Sequence, residues 1–180
     1  VEAIVAYRPD LVIAWGSGNP DAALTQLAGL GLAVWAVEIR SPGEIAGALR
    51  RIGAAAATNE PAERAARDLE QRLAALARHY ADATPLDYFY QVDRRPLFTI
   101  NGQHLISQGL ALCGGRNIFA DQPGLAFQVA HEAVITANPA ALIAPFTEGR
   151  GDPLADWRQW PSMRAVRDEA LFLLPADTIS

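Results

Sequence analysis

The chain has 180 residues and is 51% hydrophobic, enough to bury a core, which excludes an intrinsically disordered segment. Lys and Arg total 15 against 20 Asp and Glu, and a net charge of -5 gives no electrostatic footprint for gripping nucleic acid. No apolar run reaches the roughly 18 to 20 residues of a membrane helix, and the single cysteine, Cys113, rules out an internal disulfide framework or a cysteine-built zinc site.

The opening VEAIVAYRPD reads as a helix running into a strand, and the far end, ALFLLPADTIS, as an apolar strand that would continue into another helix. Both ends therefore suggest a chain cut from something longer. Short apolar runs recur at 11–15 (LVIAW), 32–37 (LAVWAV), 86–92 (LDYFYQV), 140–146 (AALIAPF) and 170–175 (ALFLLP). They lack polar alternation, as expected of parallel strands covered on both faces by helices, so the fold class is α/β.

A helix is expected over 20–30, capped by Asn19 and stopped by Gly31. Ser41, Pro42 and Glu44 write a capping box for the next helix, which runs to about residue 56. From Asn59 to about residue 81 lies the longest element, with apolar Ala62, Ala66, Leu69, Leu73 and Leu76 in one stripe and Glu63, Arg67 and Glu70 turned to water. The pattern implies two α/β lobes, residues 1–57 and 83–180, joined by a long helix at 58–82, with a ligand cleft between strand carboxyl ends.

Trp15 closes the first strand and is followed by small residues and a helix start, a ligand-facing position. Gly16-Ser17-Gly18 lacks the third glycine and the Lys-Ser/Thr of nucleotide loops. Trp35, Phe98, Phe127, Trp157 and Trp160 also fall near strand ends or in loops, which suits a cleft that sandwiches a large, flat, partly apolar ligand. No acid-base or nucleophile set emerges, so the chain is not read as an enzyme, and no metal site is expected. Ser17 has no nearby histidine, His79 sits at an exposed helix end, and His104 and His131 lack metal-ligand spacing. Asp152 and Asp156 read as partners of Arg150 and Arg158. Cys113 reads either as a small buried hydrophobe or as half of a disulfide whose partner lies outside the chain.

Several blocks together, VEAIVAYRPDLVIAW with GSGN, QLAGLGLAVWAVE, LALCGGRNIFAD and QVAHEAVITANPAALI, make the chain resemble the class III periplasmic binding proteins of ABC importers, closest to their cobalamin-binding members. The resemblance implies two α/β lobes joined by one backbone helix, a periplasmic location, no cofactor, and capture of cobalamin or a related corrinoid for delivery to a membrane permease. It implies ligand contacts at Trp15, Gly16, Ser17, Trp35 and Phe98. Phe127 stands where the family often has Trp-Pro before Gln-Val. Permease docking would fall to Asp21, where Glu is usual, and to Glu132. By the same resemblance Cys113 would pair with a cysteine beyond this chain, and sheet edges bared by truncation would favour self-association. A haem or iron-siderophore binder of the same class, a small α/β enzyme, or an interaction domain whose aromatics are core remain the alternatives.

Overall fold

The computed structural model describes residues 1–16 and 18–176. The chain divides into two compact units, Val1–Arg40 and Ser41–Ser180.

The first unit holds α1 (Glu2–Ala6), β1 (Val12–Trp15), α2 (Asp21–Gly29) and β2 (Val34–Val37). β1 and β2 pair in parallel, with Val12 opposite Val34 and Trp15 opposite Val37, and α2 forms the crossover. α2 ends where Gly31 takes a φ of +84°, which lets the Leu32 N–H reach back to the Leu27 carbonyl at 3.3 Å. Leu27 is the buried residue of α2. The expected Asn19 cap is replaced: Pro20 occupies the N-cap position, and the Asn19 side chain is taken up by the loop before it.

The second unit begins with α3 (Pro42–Ala55) and α4 (Asn59–His79), which pack against each other. They come close at Gly53, where a Cβ would lie 2.2 Å from the Ala62 Cβ, so no larger residue fits without the helices parting. Across the same face the Arg50 Nε donates to Glu63 at 2.7 Å and its Nη1 to Glu70 at 2.6 Å, while Arg67 also donates to Glu63 at 2.7 Å. Glu63 and Glu70, expected in plain solvent, are thus tied into an inter-helix ion network. The Arg50 and Arg67 guanidiniums hold the Glu63 carboxyl down at about 2. Ser41 sits at the N-cap of α3 but its hydroxyl makes no cap hydrogen bond, and Thr58, not Asn59, is the N-cap of α4.

The remaining elements are β3 (Leu86–Tyr90), β4 (Asp93–Arg94), β5 (Leu97–Ile100), α5 (Leu105–Leu112), β6 (Gly115–Asn117), β7 (Ala126–Gln128), α6 (His131–Ala137), β8 (Ala141–Phe146), a 3-10 turn at Ala155–Gln159, α7 (Arg164–Arg167) and β9 (Leu171–Pro175). β6, β3, β8 and β9 lie side by side in that order, each pair parallel. Alternation along the central strands sends Phe89, Leu142 and Ala144 into one core with Leu97, Val134 and Trp157, and Tyr88, Tyr90, Ala141 and Ile143 into another with Ile100. A sheet buried on both faces explains why its strands read as unbroken apolar runs. The α/β class is as expected. A small antiparallel sheet, β4-β5-β7, is added to it, with Phe98 opposite Gln128 and Thr99 opposite Phe127.

Candidate functional site

The loop leaving β1 presents Trp15, whose surface is 61% exposed. The Trp15 N–H donates to Asn19 Oδ1 at 2.9 Å and the Asn19 N–H donates to the Trp15 carbonyl at 3.0 Å, a two-bond clamp that closes the turn. Gly18 lies beneath the indole, where a Cβ would stand 3.3 Å from the ring. The Gly16 N–H continues the β ladder to the Val37 carbonyl at 2.9 Å, and a Cβ there would meet Glu38 Oε2 at 2.9 Å. Small residues at 16 and 18 therefore let the backbone fold under the indole and hold it outward. Ser17 lies outside the described residues. Trp35, on β2, is half-buried, and Asp21 is exposed in the first turn of α2.

In the second unit Phe98 on β5 and Phe127 on β7 are both half-buried. Phe127 meets Phe119 edge-on at 6.0 Å, Phe119 meets Phe89 at 6.0 Å, and Phe89 meets Trp157 at 5.7 Å, a chain of rings running from the small sheet into the core. Trp157 is a correction to the sequence reading. It is 1% exposed, and its Nε1 donates to Gln91 Oε1 at 2.7 Å, so the segment that looked like a cleft loop is a core plug. Trp160 and His131 stack on it at 5.4 and 5.1 Å. Glu132 is exposed in the first turn of α6, beside His131.

The carboxyl ends of β3, β8 and β9 open on a cavity of about 370 Å³, bordered by Gln91, Asp93, Arg94, Pro145, Thr147 and Arg150. The sequence places Asp152 and Asp156 near Arg150 and Arg158 as solvated pairs, which gives Arg150 no other role. In the structure Asp152 pairs with Arg158 at 3.5 Å, as that reading allows, but Asp156 takes Arg94 and Arg95, each at 3.5 Å, and Arg150 takes neither aspartate. Two cues were available: strand carboxyl ends are where open α/β sheets bind ligands, and arginines follow both β3 and β8.

His104 caps α5, its Nδ1 accepting the Ile106 N–H at 3.2 Å, and burial lowers its pKa below the usual imidazole value. It serves a helix end. Cys113 is an exposed thiol at the C-cap of α5, not a buried hydrophobe. Among the described residues no group of three or more His, Cys, Asp or Glu side chains could hold a metal, and no helix is long and apolar enough to cross a membrane.

The family model of periplasmic binding proteins matches residues 1–178. The chain belongs to the periplasmic binding protein family. Among the family's curated members, the vitamin B12-binding protein of Vibrio cholerae is 34% identical over the whole of this chain and 65% of its own length. That of Photorhabdus laumondii is 38% identical over 79% of this chain and 52% of its own. The chain thus spans roughly half to two thirds of these relatives' length. The crystal structure of the vitamin B12-binding protein BtuF of V. cholerae matches 98% of this chain and 69% of its own with a TM-score of 0.86. A periplasmic haem-binding protein of Pseudomonas aeruginosa matches with a TM-score of 0.82 at 22% identity, over 97% of this chain and 66% of that one, which is a likeness of fold alone.

Proposed function

We propose that this chain is the ligand-binding part of an ABC importer's solute-binding protein, that it works in the periplasm without catalysis, and that its ligand is cobalamin or a related corrinoid. The observation that carries the reading is Trp15, a tryptophan clamped in an exposed position at a strand's carboxyl end, in a chain that is 34% identical over its own length to part of a vitamin B12-binding protein. An exposed indole so fixed loses little freedom on binding and offers a flat apolar face to a macrocycle. Phe98, Phe127 and Trp35 are the further aromatic contacts in this reading, together with Gly16 and Ser17, which follow Trp15 in sequence. The exposed carboxylates of Asp21 and Glu132, each at the start of a helix, are the groups that meet cationic side chains of the permease. Cys113, exposed at the end of α5, is the residue that a cysteine outside this chain would reach.

Calorimetric titration with cyanocobalamin, and in parallel with haemin, tests the assignment. Saturable binding of cyanocobalamin at micromolar affinity or better, with haemin weaker, is the expected result. Saturable haemin binding with none of cyanocobalamin would replace the corrinoid by haem.

A further inference from the structure

The cavity at the carboxyl ends of β3, β8 and β9 carries chemistry that stacking aromatics do not supply. At about 370 Å³ it lies at the small end of ligand pockets, which run from about 300 to 1,000 Å³, so it admits a substituent and not a macrocycle. Two guanidiniums border it from different segments: Arg94 on β4, and Arg150 in the loop after β8. Their charge is only partly answered within the fold. Arg94 and Arg95 share the one carboxylate of Asp156, each at 3.5 Å, and Arg150 has no ion-pair partner among the described residues. Asp93 also borders the cavity and keeps its charge, its Oδ1 accepting the Arg94 N–H at 2.6 Å and the Arg95 N–H at 3.5 Å, so the two guanidiniums outweigh the one carboxylate of the lining by a single positive charge. The cavity wall is held in place from behind, where the Gln91 Nε2 donates to the Pro153 carbonyl at 2.8 Å and Gln91 Oε1 accepts from Trp157. This excess of positive charge stands in a chain whose net charge is -5.

We propose that this cavity is an anion subsite in which Arg94 and Arg150 hold a carboxylate or phosphodiester carried on the periphery of the ligand. The inference rests on the corrinoid reading and sharpens it: the chain selects among corrinoids by the charge of a side group. Guanidinium forks bind such oxyanions with two parallel N–H donors, and Thr147 adds a hydroxyl at the same rim.

The test is a calorimetric series on the whole chain with three corrinoids. Cobinamide carries neither anion, cobyric acid carries one carboxylate, and cobalamin carries a phosphodiester. Each is titrated into the native protein, Arg94→Gln, Arg150→Gln, the double variant, and Arg72→Gln as a control for net charge. At least one anionic corrinoid should bind the native protein about tenfold or more tightly than cobinamide, as a charge-assisted hydrogen bond implies. The double variant should erase that preference while leaving cobinamide within about twofold, and Arg72→Gln should keep it. Whichever anion gains identifies the group. An unchanged preference in the double variant overturns the subsite and leaves the corrinoid reading standing. Failure of all three corrinoids to bind the folded native protein overturns the reading itself, and the subsite with it.

Discussion

Trp15 and Trp157 are the same side chain in opposite circumstances, one 61% exposed at a strand exit and the other 1% exposed in the core. What separates them is where the fold spends its polar groups. At Trp157 the structure supplies a partner for the indole N–H itself, the side chain of Gln91, 66 residues away in sequence. At Trp15 it supplies partners for the backbone on either side of the turn, through Asn19, and rests the ring on Gly18. One arrangement stabilises a core; the other fixes the direction of an exposed side chain.

The comparison breaks most easily at Trp157. Trp157→Ala should cost about 3–5 kcal/mol of stability in denaturant unfolding, through the cavity left in the core and the orphaned Gln91 amide. Trp15→Ala should change unfolding by no more than about 0.5 kcal/mol and instead weaken corrinoid binding about tenfold or more, as loss of a central aromatic anchor does. Asn19→Ala should fall between them: about 1 kcal/mol of stability for the lost clamp, with weaker binding while Trp15 is still present. An Asn19→Ala protein with native affinity would show that the clamp does not orient the indole.

The smallest effect belongs to the α3–α4 helix pair. With its pKa near 2 in the fold, below the ordinary glutamate value, Glu63 contributes stability that is present at neutral pH and fades as pH falls from about 5 toward 2. Thermal melts should therefore show the native protein losing more stability than Glu63→Gln over that range. Parallel curves would mean the Arg50 and Arg67 contacts are not made in solution.

The central strands were legible because a sheet buried on both faces must be apolar throughout, and 140–146 or 86–92 can hardly be read otherwise. β4, β6 and β7 were not, since Asp93-Arg94, Gly115–Asn117 and Ala126–Gln128 are two or three residues long, and pairing partners distant in sequence make them strands. The same limit hid the site's supports. Asn19 before Pro20 reads as a helix cap, and only the closed turn reveals that its side chain serves Trp15. Trp157 in a polar segment reads as a loop aromatic until Gln91 is brought beneath it. Arg150 and Arg158 around Asp152 and Asp156 read as local ion pairs; Arg158 does pair with Asp152, but Asp156 is taken by Arg94 and Arg95 from far in sequence, and Arg150 is left on the cavity rim.

The account turns on an exposed tryptophan that binds a corrinoid, so the most direct measurement is a paired titration of the native protein and Trp15→Ala with cyanocobalamin, with melting curves of both. The expected result is saturable binding to the native protein, at least about tenfold weaker in the variant, and superimposable melts. Equal affinities, or a variant that melts earlier yet binds as tightly, would make Trp15 a structural residue and contradict the account.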